Sequence, residues 1–65
     1  MIGYIYKTTD HTNGKIYIGK KHSETFLGEK YLGSGKILKN CIKAHGRQNF
    51  TVEMLDRADT LEELN

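Results

Sequence analysis

The chain contains only one cysteine, Cys41, among its 65 residues. A single cysteine excludes an internal disulfide and a zinc site made of cysteines, and it favours an intracellular compartment such as the cytoplasm or the nucleoid. A secretory signal peptide and an apolar run long enough to cross a membrane are also lacking, so we expect no membrane partner. Cys41 itself falls on the apolar side of a predicted helix, where a packing role is expected.

The chain is too short for more than one domain, and we expect residues 1–65 to form a single one. A domain of this size buries only roughly 60% of the surface that its unfolded chain exposes, so its stability should be marginal. Hydrophobic residues make up 37% of the sequence, which is enough for one small core.

The charge is distributed unevenly along the chain. Residues 1–50 hold nine lysines or arginines against three acids, a net charge of +6, whereas residues 51–65 hold one arginine against five acids, a net charge of −4. A basic segment of this kind suits a polyanion such as DNA, because lysines that approach phosphates release counterions. A lysine-rich solvated surface has the same composition, so charge alone leaves both interpretations open.

Two short tyrosine-bearing segments near the start predict a β-hairpin. Tyr4-Ile5-Tyr6 and Tyr17-Ile18-Gly19 are rich in aromatic and β-branched residues, and Asn13-Gly14 between them suits a tight reversal. Two registers are compatible with the residues. Their outcomes differ, because a slip of one residue moves every side chain to the other face of the strand.

In the first register Tyr6 lies opposite Tyr17, a loop runs from residue 9 to 14, and both hydroxyls project from one solvent-facing side. The residues expected to point into the core are then Ile5, Ile16 and Ile18. In the second register Tyr6 lies opposite Ile18, and the two tyrosines are separated.

The rest of the chain predicts a helix, a third strand and the start of a second helix. The first helix is indicated by apolar residues at helical spacing, namely Ile37, Leu38, Cys41 and Ile42, with Ser34 or Gly35 at its start and Gly46 after its end. The strand is indicated by the alternation of Phe50, Val52 and Met54, whose apolar face should close the core against the isoleucines. Thr60 and Glu63 are spaced as a capping box for the second helix, with Leu61 and Leu64 on its apolar side.

Four segments of the chain, taken in order, resemble the motifs of the GIY-YIG nuclease superfamily, and in particular those of its free-standing phage homing endonucleases. The segments are Tyr4-Ile5-Tyr6, Tyr17-Ile18-Gly19, the run 31–36 (Tyr-Leu-Gly-Ser-Gly-Lys), and 45–50 (His-Gly-Arg-Gln-Asn-Phe). Tyr4 stands where the first motif glycine usually does. The resemblance implies an α+β fold with a small three-stranded antiparallel sheet flanked by helices. It also implies a DNA endonuclease that uses one divalent metal such as Mg²⁺ in a phage-infected cell.

The resemblance further implies how the site works: Tyr6 helps to activate water, and Tyr17 orients that water or the phosphate. A phenol has an ordinary pKa of about 10, so Tyr6 would need a neighbouring cation, from Lys20, Lys21 or His22, or a bound metal to act as a base. The family usually places an arginine on its first helix. No arginine precedes Arg47 here, so Lys36 or His22 is expected to replace it.

The remaining site predictions concern DNA contacts and structural positions. The lysines expected to contact DNA are Lys7, Lys20, Lys21, Lys36, Lys39 and Lys43. The positions expected to be structural are Gly19, Gly46 and Asn49.

We also expect the domain to be incomplete at its C-terminus. In the resembled family a glutamate on the helix after the third strand binds the metal, and that position falls a few residues beyond Asn65. The DNA-binding modules that usually supply specificity are likewise expected outside this chain. The alternative is a non-catalytic DNA-binding or interaction module that has lost the metal site.

Overall fold

The structure is a computed structural model and describes residues 1–64. Its elements are β1 (Gly3–Asp10), β2 (Lys15–His22), α1 (Lys36–His45), β3 (Phe50–Ala58) and α2 (Leu61–Leu64), with single 3₁₀ turns at Gly28–Lys30 and Arg47–Asn49. This three-stranded antiparallel sheet with two helices confirms the predicted α+β class. No helix within residues 1–64 is long and apolar enough to cross a membrane.

β1 is the central strand of the sheet, whose order is β2-β1-β3. The hairpin pairs Tyr6 with Gly19 and Thr8 with Tyr17, so both registers considered from the sequence were wrong. The turn is shorter than expected, because Gly14 has a φ of 75° and its amide donates to the carbonyl of Asp10 at 2.8 Å. The observed register differs from the first predicted one by an even number of residues and therefore leaves Tyr6 and Tyr17 on the same face.

That shared face is the core face, which reverses the predicted orientation of the sheet. Tyr4 and Tyr6 are buried, whereas Ile16 and Ile18 are 53% and 60% exposed. The prediction failed because it ranked the two faces by aliphatic content. Tyrosine rings bury large apolar areas, and the polar residues beside them have partners: the Thr8 hydroxyl donates to the carbonyl of Leu32.

α1 covers this face and begins and ends where the sequence indicates, after Gly35 and before Gly46. The core cluster consists of Leu32, Leu38 and Phe50, with Tyr17, Cys41, Ile42 and Val52 packed against it. The packing role predicted for Cys41 is thereby confirmed. Ile37 is 74% exposed, however, so the apolar side of the helix is narrower than predicted.

β3 pairs with β1 through a bulge that the alternating pattern did not reveal. Ile5 lies opposite Asp56 and Tyr6 lies opposite Met54, which leaves Leu55 as the extra residue. Met54 is 42% exposed and does not close the core as expected. Aromatic packing contributes to the inner face instead: Phe26 packs edge-on against Tyr4, with ring centroids 5.1 Å apart.

α2 begins with the predicted cap and packs back onto the start of β1. The amide of Glu63 donates to the Thr60 hydroxyl at 3.2 Å. Leu64 is buried and lies so close to Gly3 that a Cβ added there would approach it to 2.6 Å. Leu61 is exposed, so only one of the two predicted leucines anchors the helix.

The side chain of Asp10 is fully buried, and its hydrogen bonds link β1 to the hairpin turn and to the end of α1. Its carboxylate accepts hydrogen bonds from the amide and hydroxyl of Thr12, at 2.9 and 2.7 Å, and lies 2.7 Å from Nδ1 of His45. Burial acts to raise the pKa of Asp10, but the hydrogen bonds from Thr12 and His45 outweigh it and hold the pKa below its usual range. His45 is thus a structural partner at the helix end.

Asp10→Asn is expected to lower Tm at neutral pH by several degrees. The pKa of Asp10 is lower in the folded chain than in the unfolded one. Its contribution is therefore complete above the unfolded value of about 3.9 and is lost as the pH falls through the folded value. Thermal melts followed by circular dichroism should show the difference between wild type and variant shrinking in acid. Glu24→Gln, at an exposed position, is the control, and a pH-independent difference for Asp10→Asn would contradict the assignment.

Candidate active site

A cavity of about 450 Å³ opens between β2 and the first turn of α1. We call it the tyrosine cavity; its lining residues are Tyr6, Tyr17, Ile18, Gly35, Lys36, Ile37 and Leu38. The structure therefore brings together three of the four residues predicted to be catalytic: Tyr6, Tyr17 and Lys36. Among residues 1–64, Lys36 supplies the only cation of the lining, and no carboxylate is part of it.

The Tyr6 ring occupies space that two glycines leave free. It lies across its cross-strand partner Gly19, where an added Cβ would come within 2.3 Å of the hydroxyl oxygen. On another side, a Cβ on Gly33 would lie 3.2 Å from the same oxygen, and Gly33 has a φ of 141° that favours glycine. The structural role predicted for Gly19 thus has a steric cause, while Gly33 was noted only as part of the run 31–36 and no structural role was predicted for it.

Tyr6 is only 6% exposed, contrary to the expectation of a solvent-facing phenol. Its ring packs edge-on against Tyr31 and Tyr4, with centroids 5.7 and 6.2 Å away. Burial and the neighbouring phenol of Tyr31 raise the pKa of Tyr6 above its ordinary value. A raised pKa keeps the proton on Tyr6 at neutral pH, which suits a hydrogen-bond donor better than a base.

Tyr17 lies on the same face and directs its hydroxyl toward α1. The hydroxyl donates to Sγ of Cys41 at 3.6 Å, and this bond, together with burial, raises the pKa of Tyr17. Cys41 therefore orients the second phenol as well as packing in the core. Its position on the helix face was predicted, but this contact depends on the register and could not be read from spacing.

The other residues predicted for the site are distributed over both sides of the sheet. His22 and Lys20 alternate with Tyr17 along β2 and lie on the opposite face, as does Lys7, whose Nζ lies 2.9 Å from Glu53. The structure does not bring His22 to the tyrosine cavity. Lys21 does share the tyrosine face, with Nζ 4.4 Å from the ring centroid of Tyr31.

Lys39 and Lys43 project from α1 and are exposed, and neither lines the tyrosine cavity.

The two remaining structural predictions concern the end of this helix. Gly46 adopts a φ of 89° after the last turn, and Nδ2 of Asn49 donates to the carbonyl of His45 at 2.6 Å. Both residues therefore terminate α1.

Residues 1–64 contain no group of three or more histidine, cysteine, aspartate or glutamate side chains placed to hold a metal ion. The part of the chain described by the structure therefore does not fit the implied divalent metal by itself. The position predicted for the metal-binding glutamate lies beyond Asn65, outside the described residues.

Searches against known proteins returned relatives from Enterobacteria phage T4. "Putative endonuclease segE" is 46% identical over 63 residues, which cover 97% of this chain and 30% of that protein. "Putative endonuclease segB" is 44% identical over 64 residues, covering 98% of this chain and 28% of that protein. "Endonuclease segA" is 40% identical over 52 residues, covering 80% of this chain and 23% of that protein. This chain thus spans less than a third of each relative.

No model of a known protein family matches the chain, and no solved structure is significantly similar to it.

Gly19→Ala is expected to destabilise the fold by about 1–3 kcal/mol, the usual cost of overpacking, because the new methyl group displaces the Tyr6 ring. Denaturant unfolding of a double-mutant cycle with Tyr6→Leu tests this cause. The shorter leucine should remove at least half of the cost of Gly19→Ala. Gly35→Ala, where a Cβ meets no atom within 4 Å, is the matched control. Equal costs of Gly19→Ala in both backgrounds would contradict the steric explanation.

Spectrophotometric titration of tyrosinate tests the protonation of the two phenols. Because the pKa values of Tyr6 and Tyr17 are raised, both are expected to ionise above the ordinary value of about 10. Tyr6→Phe and Tyr17→Phe should each remove a component from the late part of the titration curve. If either substitution instead removed a component that titrates near neutral pH, the replaced tyrosine would be an activated phenol, and the expectation would be contradicted.

Proposed function

We propose, on the basis that the chain is a homologue of the phage T4 seg proteins, that the tyrosine cavity is the catalytic site of a DNA endonuclease. The reaction is hydrolysis of a phosphodiester bond in the DNA backbone, as the resemblance to GIY-YIG homing endonucleases implies. The observation that carries the proposal is the convergence of Tyr6, Tyr17 and Lys36 on one cavity to which no carboxylate of residues 1–64 contributes.

The lining of this cavity suits an anionic substrate. Two hydroxyl groups can donate hydrogen bonds to phosphate oxygens, and the ammonium group of Lys36 attracts the negative charge of the backbone. A carboxylate would repel a phosphate, and in the part of the chain that the structure describes none lines the cavity. The surrounding +6 segment of residues 1–50 adds a favourable long-range field.

The proposed roles follow from the protonation states and positions of the three groups. Tyr6 holds its proton and donates to a phosphate oxygen, which assigns it a donor role in place of the base predicted from the sequence. Tyr17 exchanges its weak bond to Cys41 for a charge-assisted bond to phosphate. Lys36 balances the negative charge that develops on the oxygens around phosphorus in the transition state, the part an arginine plays in the resembled family.

A divalent metal is part of the proposal because the resemblance implies one. Bound near the scissile phosphate, such an ion would supply Lewis-acid stabilisation. Since residues 1–64 do not offer a three-ligand site, we assign no step to it. DNA binding without cleavage remains the second candidate function, and the same experiment distinguishes the two.

Tyr6→Phe and Tyr17→Phe are each expected to slow cleavage of supercoiled plasmid in Mg²⁺ by about 10²-fold, the usual loss when one transition-state donor is removed. Initial rates of nicking and linearisation, with and without a chelator, give the measurement. DNA affinity should change far less than the rate, because phosphate binding has many other contributors.

Tyr4→Phe is the matched control, because the Tyr4 hydroxyl is not part of the tyrosine cavity and accepts a 3.4 Å hydrogen bond from the amide of Leu27. It should cleave at the wild-type rate. Cleavage that survives both Tyr6→Phe and Tyr17→Phe would reject the proposed roles. Retained DNA binding with no cleavage by the wild type would favour the second candidate function.

A further inference from the structure

A second cavity, of about 150 Å³, lies beside the tyrosine cavity and is strongly basic. We call it the basic cavity; its lining residues are Lys30, Tyr31, Leu32, Gly33, Lys39, Ile42 and Arg47. Its volume exceeds the roughly 30 Å³ that one water occupies in the liquid, so it has room for a tetrahedral anion. Neither Lys30 nor Arg47 was predicted from the sequence to contact DNA.

Three cationic side chains, those of Lys30, Lys39 and Arg47, line this cavity. No aspartate or glutamate of the described part of the chain belongs to the lining. Among residues 1–64, no carboxylate lies within 4.0 Å of the charged groups of Lys30, Lys39 or Arg47. Like charges gathered around one small hollow repel one another, and an anion in the hollow relieves that repulsion.

Arg47 is held in place at the rim by the backbone. Its Nη2 donates to the carbonyl of Glu29, so the 3₁₀ turn Gly28–Lys30 and the turn that follows α1 are tied together. The guanidinium group has five donors, and this contact uses one of its nitrogens. The remaining donors form a fixed fork of the kind that binds phosphate with two hydrogen bonds.

The basic cavity adjoins the tyrosine cavity through residues 31–33. Tyr31 and Gly33 line the basic cavity; the Tyr31 ring packs against that of Tyr6, and a Cβ added at Gly33 would lie 3.2 Å from the Tyr6 hydroxyl oxygen. Along α1, Lys36 lines one cavity and Lys39 lines the other. Residues three apart on a helix have Cβ atoms roughly 5–6 Å apart.

We propose that the basic cavity binds a second DNA backbone phosphate, a neighbour or next neighbour of the phosphate in the tyrosine cavity. Because Lys36 and Lys39 are only one helical turn apart, phosphates that contact them would belong to nearby nucleotides of one DNA strand. This inference rests on the proposed function, because it takes the scissile phosphate to lie in the tyrosine cavity. Holding a flanking phosphate fixes the position of the strand, so that the scissile bond faces the phenols.

The salt dependence of DNA binding tests the inference, because each phosphate that a protein neutralises contributes about 0.9 to the slope of log K against log salt for duplex DNA. A mixed-sequence duplex oligonucleotide in the presence of a chelator, which prevents cleavage, is the probe. Lys39→Gln combined with Arg47→Gln is expected to make the slope shallower by about 0.9, the value for one phosphate. Arg47→Lys, which keeps the charge, should preserve the slope while weakening binding through loss of the fork.

Lys15→Gln, an exposed lysine at the start of β2 and outside both cavities, is the control and should leave the slope unchanged. Thermal melts establish that each variant is folded. Lys39→Gln alone changes one exposed residue and therefore tests the basic cavity with the smaller change to the structure. An unchanged slope in the folded double variant, or an equal loss in Lys15→Gln, would overturn the inference.

The outcome is separable from that of the proposed function. If plasmid cleavage depends on Tyr6 and Tyr17 but the slope does not depend on Lys39 and Arg47, only the second phosphate site is rejected. If the slope falls as expected while both phenylalanine variants cleave normally, the phosphate contact stands and the catalytic assignment fails. A wild-type protein that binds no DNA would overturn both.

Discussion

The contact between the Tyr6 ring and Gly19 is the constraint on which the rest of the structure depends. It couples two residues that face each other across the hairpin, and it leaves no space for a Cβ at the glycine. A slip of one residue would place a bulky side chain under the ring and would turn the tyrosine face away from α1. This single steric fit therefore specifies the register of the hairpin and the orientation of the sheet. It also sets the depth at which the Tyr6 hydroxyl lies.

The elements that local sequence determines were predictable. α1 was bounded correctly by its glycines, and the capping box of Thr60 and Glu63 formed as expected. The turn at Gly14 was also indicated, although its length was not. Each of these features depends on residues a few positions apart in the chain, where backbone preference and hydrogen bonding decide the outcome.

The orientation of the sheet was not predictable in the same way, because it depends on partners distant in sequence. Thr8 and Asp10 are polar residues on the inner face, and they are tolerated there because Leu32, Thr12 and His45 satisfy them. Counting aliphatic residues favours the face of Ile16 and Ile18 instead. For the candidate site, the family resemblance suggested Tyr6, Tyr17 and Lys36, which line one cavity, and also His22, which alternation along β2 places on the other side.

Within residues 1–64 the strand order β2-β1-β3 leaves one edge of β2 unpaired, and the outward side chains Ile16 and Ile18 of this strand are largely exposed. Unpaired backbone groups beside apolar side chains form a template on which another strand can assemble. The lysines along β2, at positions 15, 20 and 21, set like charges against any second copy that approaches this edge. The same residues that raise the basic charge of the domain thus oppose its self-association, and high salt, which screens them, removes that protection.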